Sequence, residues 1–357
     1  MCLDSVFAAL KDVKGEVIVV DNNSTEKCTK LIRKNFPEVK LIENQENKGF
    51  SKAVNQGARK AVGEYLLILN PDVILPENSL KFVLKFVEDQ KVKGALGCRF
   101  IDGSGNVLPE CKRNFPGMSA AMAKLFGMNA GYYADHLNDK ENGEVEVLTG
   151  AFMFLKKDLF DQMKGFDEDF FMYGEDIDLS YRIFSSGHKN WYLGDLTVIH
   201  FKGESSIKNL TYLKHFYGAL EIFFVKHFRH NAVSRGLLRT LVQSAVWFRT
   251  RSARETEATQ TRSESFKYRG TREGVYAALK HKFGENLEWV ASGKELKGLN
   301  PGASVFFDTF DMSFEKIIEA IETLHDGVSR RIISKQGDFY VGSDNAKDRG
   351  KSERLRP

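Results

Sequence analysis

Between Glu16 and Asp21 the chain reads Glu-Val-Ile-Val-Val-Asp, an uninterrupted β-branched run closed by an acid. A short run of this kind predicts a strand buried on both faces, as strands of parallel sheets are. Upstream, Leu3 to Leu10 carries apolar residues at helical spacing, and Gly15 releases the chain. Downstream, Ser24-Thr25-Glu26 caps a helix that runs to Phe36, Pro37 stops it, and Val39-Lys40-Leu41-Ile42 predicts the next strand. A helix over Ser51 to Val62 and a strand over Tyr65 to Leu69 extend the alternation, which predicts an α/β fold with a mostly parallel central sheet. The pattern continues with a helix over Asn78 to Asp89, a strand over Ala95 to Phe100 turning at Asp102 to Asn106, and a strand over Val145 to Leu155. A helix over Glu175 to Ser186, a strand over Trp191 to His200 and an aromatic-rich helix over Leu210 to Phe228 follow. Residues 112 to 143 lack periodicity and predict a long loop with a short helix; such loops in compact domains are usually lids or binding loops.

Beyond Phe228 the pattern changes. Arg249 to Gly270 is polar, charged and rich in Thr and Ser, as linkers are. A smaller alternating unit comes next, with helices over Thr271 to Phe283 and Phe314 to Leu324. Its strands are expected at Leu287 to Val290, Ser304 to Asp308, Arg331 to Ile333 and Phe339 to Val341. The expected organisation is a main domain over 1–230, a basic helix and linker over 231–270, a small α/β domain over 271–343 and a charged, disordered tail over 344–357.

Composition narrows the class. The chain has 357 residues, 42% hydrophobic and 28% charged, enough for full cores in two domains. No apolar run approaches the roughly 18 residues that cross a bilayer, and the start lacks a signal peptide's basic and apolar regions. Cys2, Cys28, Cys98 and Cys111 form no C-x-x-C pair, which fits a reducing cytoplasm and excludes a zinc ribbon. The net charge of +4 is too mild to argue for nucleic acid, yet it is unevenly spread. Eight acids and one base lie between Asp158 and Asp178, whereas Lys226 to Lys282 holds thirteen Lys or Arg against four Glu. The first patch suits cations or protons and the second phosphates, although charge runs are also ordinary solvated faces.

Chemistry concentrates at predicted strand ends. Asp21, followed by Asn22-Asn23-Ser24, and Asp72, in Leu69-Asn70-Pro71-Asp72, stand where open α/β sheets bind ligands. Asp and Asn also end strands and form turns with no ligand at all. Glu175-Asp176 opens a helix inside an aromatic frame, a setting for a sheltered base and equally for a favourable helix-dipole partner. Asp178 and Arg182 are spaced as an ion pair. His200 closes a strand and is a candidate metal ligand or an ordinary core histidine. No G-x-G-x-x-G follows any strand, which speaks against a nicotinamide dehydrogenase.

Taken jointly, a set of segments resembles a known family. In order they are Val20-Asp21-Asn22-Asn23-Ser24, Asn47-Lys48-Gly49-Phe50-Ser51-Lys52-Ala53-Val54-Asn55-Gln56-Gly57, Leu69-Asn70-Pro71-Asp72, Thr149-Gly150-Ala151, Gly165-Phe166-Asp167-Glu168, Glu175-Asp176 and Ile199-His200. Over about residues 3 to 228 they resemble the family-two inverting glycosyltransferases of the Rossmann-like GT-A fold, nearest the rhamnosyltransferase-like branch. The resemblance implies that Asp21, with Asn23, holds the nucleoside of a nucleotide-sugar, and that Lys48, Asn55 and Asn70 line the donor pocket. It implies that Asp72 binds a divalent cation, Mg²⁺ or Mn²⁺, carrying the diphosphate, with His200 completing the metal shell. Many relatives have two aspartates where Asn70-Pro71-Asp72 stands, so one carboxylate remains here. Asp176 is then the base that takes the proton of an acceptor hydroxyl, and Glu175 orients the acceptor or supports the loop.

The implied reaction is a single displacement onto a hydroxyl of a glycan or lipid-linked acceptor in polysaccharide biosynthesis. Relatives open with an apolar strand ahead of the helix with which this chain starts, so the edge of Val17 to Val20 is expected to lack a partner. The basic, aromatic stretch from Lys214 to Arg251 suits peripheral contact with the anionic inner face of a membrane. The competing function is a truncated, non-catalytic nucleotide-sugar or glycan-binding protein. Joint retention of Asp21, Asp72, Asp176 and His200 speaks against it, because a binding module has no use for a base.

Overall fold

In the computed structural model the first apolar run forms β1 (Ile18–Asp21), parallel to β2 (Lys40–Glu43), with Ile18 opposite Lys40 and Asp21 opposite Glu43. The structure describes residues 1–25, 28–115, 131–201, 210–228, 265–291, 296, 299–325, 327–343 and 350–355. Helix α1 (Cys2–Ala9) precedes β1, α2 (Cys28–Asn35) connects it to β2, and α3 (Phe50–Ala58) leads on to β3 (Tyr65–Leu69).

A second sheet holds the main core. It contains β3, β4 (Val73–Ile74), β5 (Leu96–Ile101), β6 (Gly143–Val145), β7 (Phe152–Lys156) and β8 (Asn190–His200). Its order is β3-β7-β5-β8-β4, with β6 beside the start of β8. Helices α4 (Ser79–Gln90), α5 (Lys157–Gln162), α6 (Glu175–Ser185) and α7 (Leu210–His227) accompany it. Strand β5 is buried at every position, and Phe100, Phe152, Phe154, Tyr192 and Leu193 fill the core around it.

The sheet is mixed, which corrects the expectation of a mostly parallel one. Only β5 and β8 run parallel; β7 is antiparallel to β3 and β5, and β4 and β6 are antiparallel to β8. The run Val145 to Leu155, read as one strand, is split into β6 and β7 around a turn at Thr149-Gly150-Ala151. Antiparallel neighbours need no helical crossover, so this segment inserts directly between β3 and β5. Among the described residues β1 has only β2 as a ladder partner, and β3 only β7.

The C-terminal unit forms as the alternation predicted, within a residue or two. Its elements are β9 (Ser265–Arg269), α8 (Glu273–Phe283), β10 (Leu287–Val290), β11 (Ala303–Asp308), α9 (Phe314–Thr323), β12 (Ser329–Ile333), β13 (Phe339–Ser343) and β14 (Lys351–Arg354). The order is β10-β9-β11-β12-β13-β14, parallel as far as β12 and antiparallel beyond. Two expectations are corrected. Strand β9 lies in the 231–270 segment read as basic helix and linker, whose residues 231–264 fall outside the described ones. Strand β14 lies in the tail read as disordered, where Glu353 accepts from the Tyr340 hydroxyl at 2.6 Å and Leu355 is buried. A single apolar anchor in a charged segment gives no periodicity to read.

The two units share a core. Ile74, Ile101, Ile199 and Phe201 of the first pack in one cluster with Val305, Phe307, Phe314, Ile317 and Ile321 of the second. Gly105, at φ +83°, lies so close to the Ile321 carbonyl that a Cβ would approach it to 2.8 Å. Ser313 caps α9 by accepting from the Lys316 N–H at 3.2 Å. Glu77, from the other unit, accepts from the Phe314 and Glu315 N–H groups at 2.7 and 2.9 Å, placing a carboxylate at the positive end of the helix. Buried Arg99 of β5 pairs with Glu322 of α9.

Removing the Glu77 cap should therefore cost about 1–2 kcal/mol of stability. In urea unfolding, Glu77→Ala should lower the midpoint. Tryptophan fluorescence and circular dichroism transitions should coincide in both proteins because one core joins the units; separated transitions would show that they unfold independently.

Candidate active site

The carboxyl end of β1 begins the site. Asp21 Oδ1 accepts from the Ser24 N–H at 3.3 Å and from the Cys28 thiol at 3.8 Å, closing the turn after the strand. Asn22 knits this turn to the loop after β2. Its Oδ1 accepts from the Lys48 N–H and the Asn44 side chain at 3.1 Å each, and its Nδ2 donates to Asn47 Oδ1 at 2.9 Å and the Gly49 carbonyl at 3.1 Å. Asn44 lies outside the motif segments, and Asn22 and Asn47 carry no assigned role within them, because nothing in their spacing marks the three as one network. Asn23 is exposed in the left-handed region at φ 65°, and the Lys48 side chain is also exposed.

Asn55 does not line the pocket expected for it. Its side chain is buried, donating to the Phe166 carbonyl at 2.8 Å and Glu168 Oε1 at 3.1 Å and accepting from the Phe166 N–H at 2.9 Å. The amide is spent on tying α3 to the 165–168 turn.

Asp72 and His200 do meet. Val73 of β4 lies opposite His200 of β8, the Phe201 N–H donates to the Asp72 carbonyl at 3.0 Å, and Asp72 Oδ1 comes within 3.4 Å of His200 Nε2. Two donors each about 2.1 Å from one cation stand roughly 3.0–3.4 Å apart at adjacent positions, so the pair fits a shared divalent ion. The His200 ring is seated edge-on against Phe100, with centroids 5.6 Å apart. Among the described residues no group of three or more His, Cys, Asp or Glu is placed to hold a metal. Such an ion would take its other ligands from bound diphosphate and water. Cys2 donates to the Asn70 carbonyl at 3.6 Å, and burial pushes its thiol up to about 12.

The acidic pair lies one turn of chain away. The Asn70 N–H donates to the Ala151 carbonyl at 3.0 Å, and the adjacent Gly150 N–H donates to Asp176 Oδ2 at 3.3 Å. The Thr149-Gly150-Ala151 turn thus links the Asp72 loop to the start of α6. Asp176 also accepts from Arg113 Nη2 at 2.6 Å and from the Ile177 N–H at 2.8 Å. Glu175 is buried beside it, and its Oε2 has no hydrogen-bond partner among the described residues. Burial, and then the charge of Asp176, push the Glu175 carboxyl up to about 8 against the opposing pull of a backbone N–H and Arg113.

The remaining acids of this patch are structural. Asp178 takes two bonds from Arg182, at 2.8 and 2.5 Å, as their spacing predicted, and a third contact at 2.6 Å from His227 Nε2 of α7. Lys226 bridges Asp169 at 2.6 Å and Asp167. These contacts hold α7 against the acidic segment. Arg113, buried and central, was missed because it lies in the aperiodic loop and only folding brings it to Asp176.

The chain is similar in sequence to known glycosyltransferases. Residues 1–164 match the family model described as Glycosyl transferase family 2. The N-acetylglucosaminyl-diphospho-decaprenol L-rhamnosyltransferase of Mycobacterium tuberculosis is 27% identical over 254 residues, covering 66% of this chain and 81% of that protein. Rhamnosyltransferase WbbL of Escherichia coli is 30% identical over 155 residues, covering 42% of this chain and 56% of its own length. The crystal structure of S. aureus TarS 1-349 has a TM-score of 0.44 at 15% identity over 71% of this chain and 68% of that one, too distant a likeness to carry an argument.

The Glu175 carboxyl binds its proton more tightly in the folded protein than in the unfolded chain. The stability tied to that proton is fully present below the ordinary carboxylate value near 4.5 and is lost as pH rises through about 8. Glu175→Gln has no such group, so its melting temperature should fall less than that of the wild type on going from mildly acidic to mildly alkaline buffer. Parallel melting curves across this range would show that Glu175 titrates as an ordinary carboxylate.

Proposed function

We propose that this chain, a glycosyltransferase of family 2, moves a sugar, with a rhamnosyl residue the first to test, from a nucleotide-sugar to a hydroxyl of a lipid-linked glycan by one inverting displacement. The observation that carries the reading is the Thr149-Gly150-Ala151 turn, which bonds the Asp72 loop on one side and Asp176 on the other. The Asp72–His200 pair and the sheltered Asp176 carboxylate are thereby linked through one turn, which supports a reading in which the first would hold a cation and the second acts as the base. The name of the mycobacterial relative supports the lipid-linked acceptor. Among the described residues no helix is long and apolar enough to cross a membrane.

In this reading Asp21 and the asparagine network around Asn22 hold the nucleoside end of the donor, with Asn23, Lys48 and Asn70 beside it. Asp72 and His200 would hold Mg²⁺ or Mn²⁺, whose chemistry when bound is to neutralise the charge of the departing diphosphate. Asp176 takes the proton from the acceptor hydroxyl as its oxygen attacks the anomeric carbon opposite the diphosphate. Glu175 excludes water beside it and supports the loop that meets the acceptor.

A screen of nucleotide-sugars with a lipid-linked glycan acceptor, read as release of nucleoside diphosphate, tests the reading. Turnover should require Mg²⁺ or Mn²⁺ and vanish on chelation, and Asp72→Asn should weaken metal-dependent donor binding measured by calorimetry. Full activity in excess chelator would remove the metal role. Asp176→Asn should lower transfer about 10²- to 10⁴-fold with donor affinity nearly intact. A near-normal rate in that variant would remove Asp176 as the base.

A further inference from the structure

Two carboxyl groups sit side by side at the start of α6 in a buried site, an arrangement that disfavours ionisation of both unless a countercharge is present. The countercharge is Arg113. Its Nη2 donates to Asp176 Oδ2 at 2.6 Å and to the Leu148 carbonyl at 2.8 Å. Burial disfavours the charged guanidinium, but Asp176 and Tyr132 together, through charge and hydrogen bonds, outweigh that effect and hold its proton more tightly than usual. The arginine is also fixed independently of the acid it serves. Its N–H donates to the Val147 carbonyl at 3.1 Å, and its own carbonyl accepts from the Val147 N–H at 2.9 Å. On either side, the Ala134 N–H reaches the Lys112 carbonyl and the Asn114 N–H the Tyr132 carbonyl. The guanidinium is thus held in place before any substrate arrives.

The other groups around Asp176 do not duplicate this role. From α6, Glu175 brings a second carboxyl and Asp178 turns away to Arg182 and His227. From the β6–β7 turn come only backbone groups, the Gly150 N–H among them. From the loop over 131–134, Tyr132 faces Arg113 rather than the acids.

We propose that Arg113 is a positioning residue of the transfer reaction, whose guanidinium orients the Asp176 carboxylate and balances its charge in a pocket that also holds Glu175. The proposal rests on the reading of Asp176 as the base. It adds what that reading lacks, namely the reason a buried carboxylate beside another can still receive a proton at neutral pH. Without Arg113 the pair, in which Glu175 already holds one proton, would draw a second from solvent, and the base would be occupied under the conditions in which the enzyme works.

The test compares the wild type with Arg113→Gln and Arg113→Lys. For Arg113→Gln the acidic limb of the kcat/KM profile for the acceptor should move up by about 1–3 pH units. Its rate near neutrality should fall about 10²-fold with donor KM unchanged, and alkaline buffer should recover part of the loss. Arg113→Lys keeps the charge without the planar fork, so its limb should stay near the wild-type position while kcat falls. A wild-type profile in Arg113→Gln, or a loss equal at every pH in both variants, would overturn the proposal. A second readout needs no substrate. The melting temperature of Arg113→Gln should fall more steeply with rising pH than that of the wild type, because its acidic pair holds protons more tightly in the folded state. If the wild type transfers no sugar yet this slope difference appears, the functional reading fails while the charge balance at Arg113 stands; equal slopes would remove Arg113 from that role whatever the activity.

Discussion

The two-residue ladder between β4 and β8 is the contact on which the site depends. With Val73 opposite His200 and the Phe201 N–H on the Asp72 carbonyl, it brings together two side chains that belong to distant parts of the chain. So short a ladder is weak alone. It holds because Ile74 and Ile199, its second pair, are buried in the core shared by both units. The position of a candidate metal ligand is thus set by apolar packing some residues away.

That dependence ties the C-terminal unit to the geometry of the candidate site through packing. Its β11 and α9 supply Val305, Phe307, Phe314 and Ile317 to the cluster that holds Ile74 and Phe201. Glu77 and Arg99 then tie the units with directional bonds to α9. The polar bonds fix orientation, whereas the shared apolar core provides the larger part of the adhesion.

Charge is handled with similar economy in the acid-rich segment. Asp176 is matched by Arg113, Asp178 by Arg182 and His227, and Asp167 and Asp169 by Lys226. Glu175 is different, since burial pushes its proton affinity up instead of a cation lowering it. A patch that looks uniformly acidic in sequence becomes, on folding, a set of carboxylates each facing a cation, with Glu175 beside them held to its proton by burial.

The sequence by itself determined the local elements and the places where acids close them. Asp21 at the end of β1, Asp72 after β3, Glu175-Asp176 at the start of α6 and the Asp178–Arg182 pair were all legible, because strand alternation, helix caps and i,i+4 spacing are local physics. The alternation of the C-terminal unit was legible for the same reason, since α9 shows its stripe of Phe314, Ile317, Ile318 and Ile321 in the sequence itself. Tertiary structure alone decided the rest. The direction of β7, the turning of Asn55 toward Phe166, and the meeting of Arg113 with Asp176, 63 residues apart, depend on which surfaces are buried against each other. Burial and long-range pairing leave no periodic trace, so a charged residue in an aperiodic loop becomes a countercharge only when the folded core closes around it.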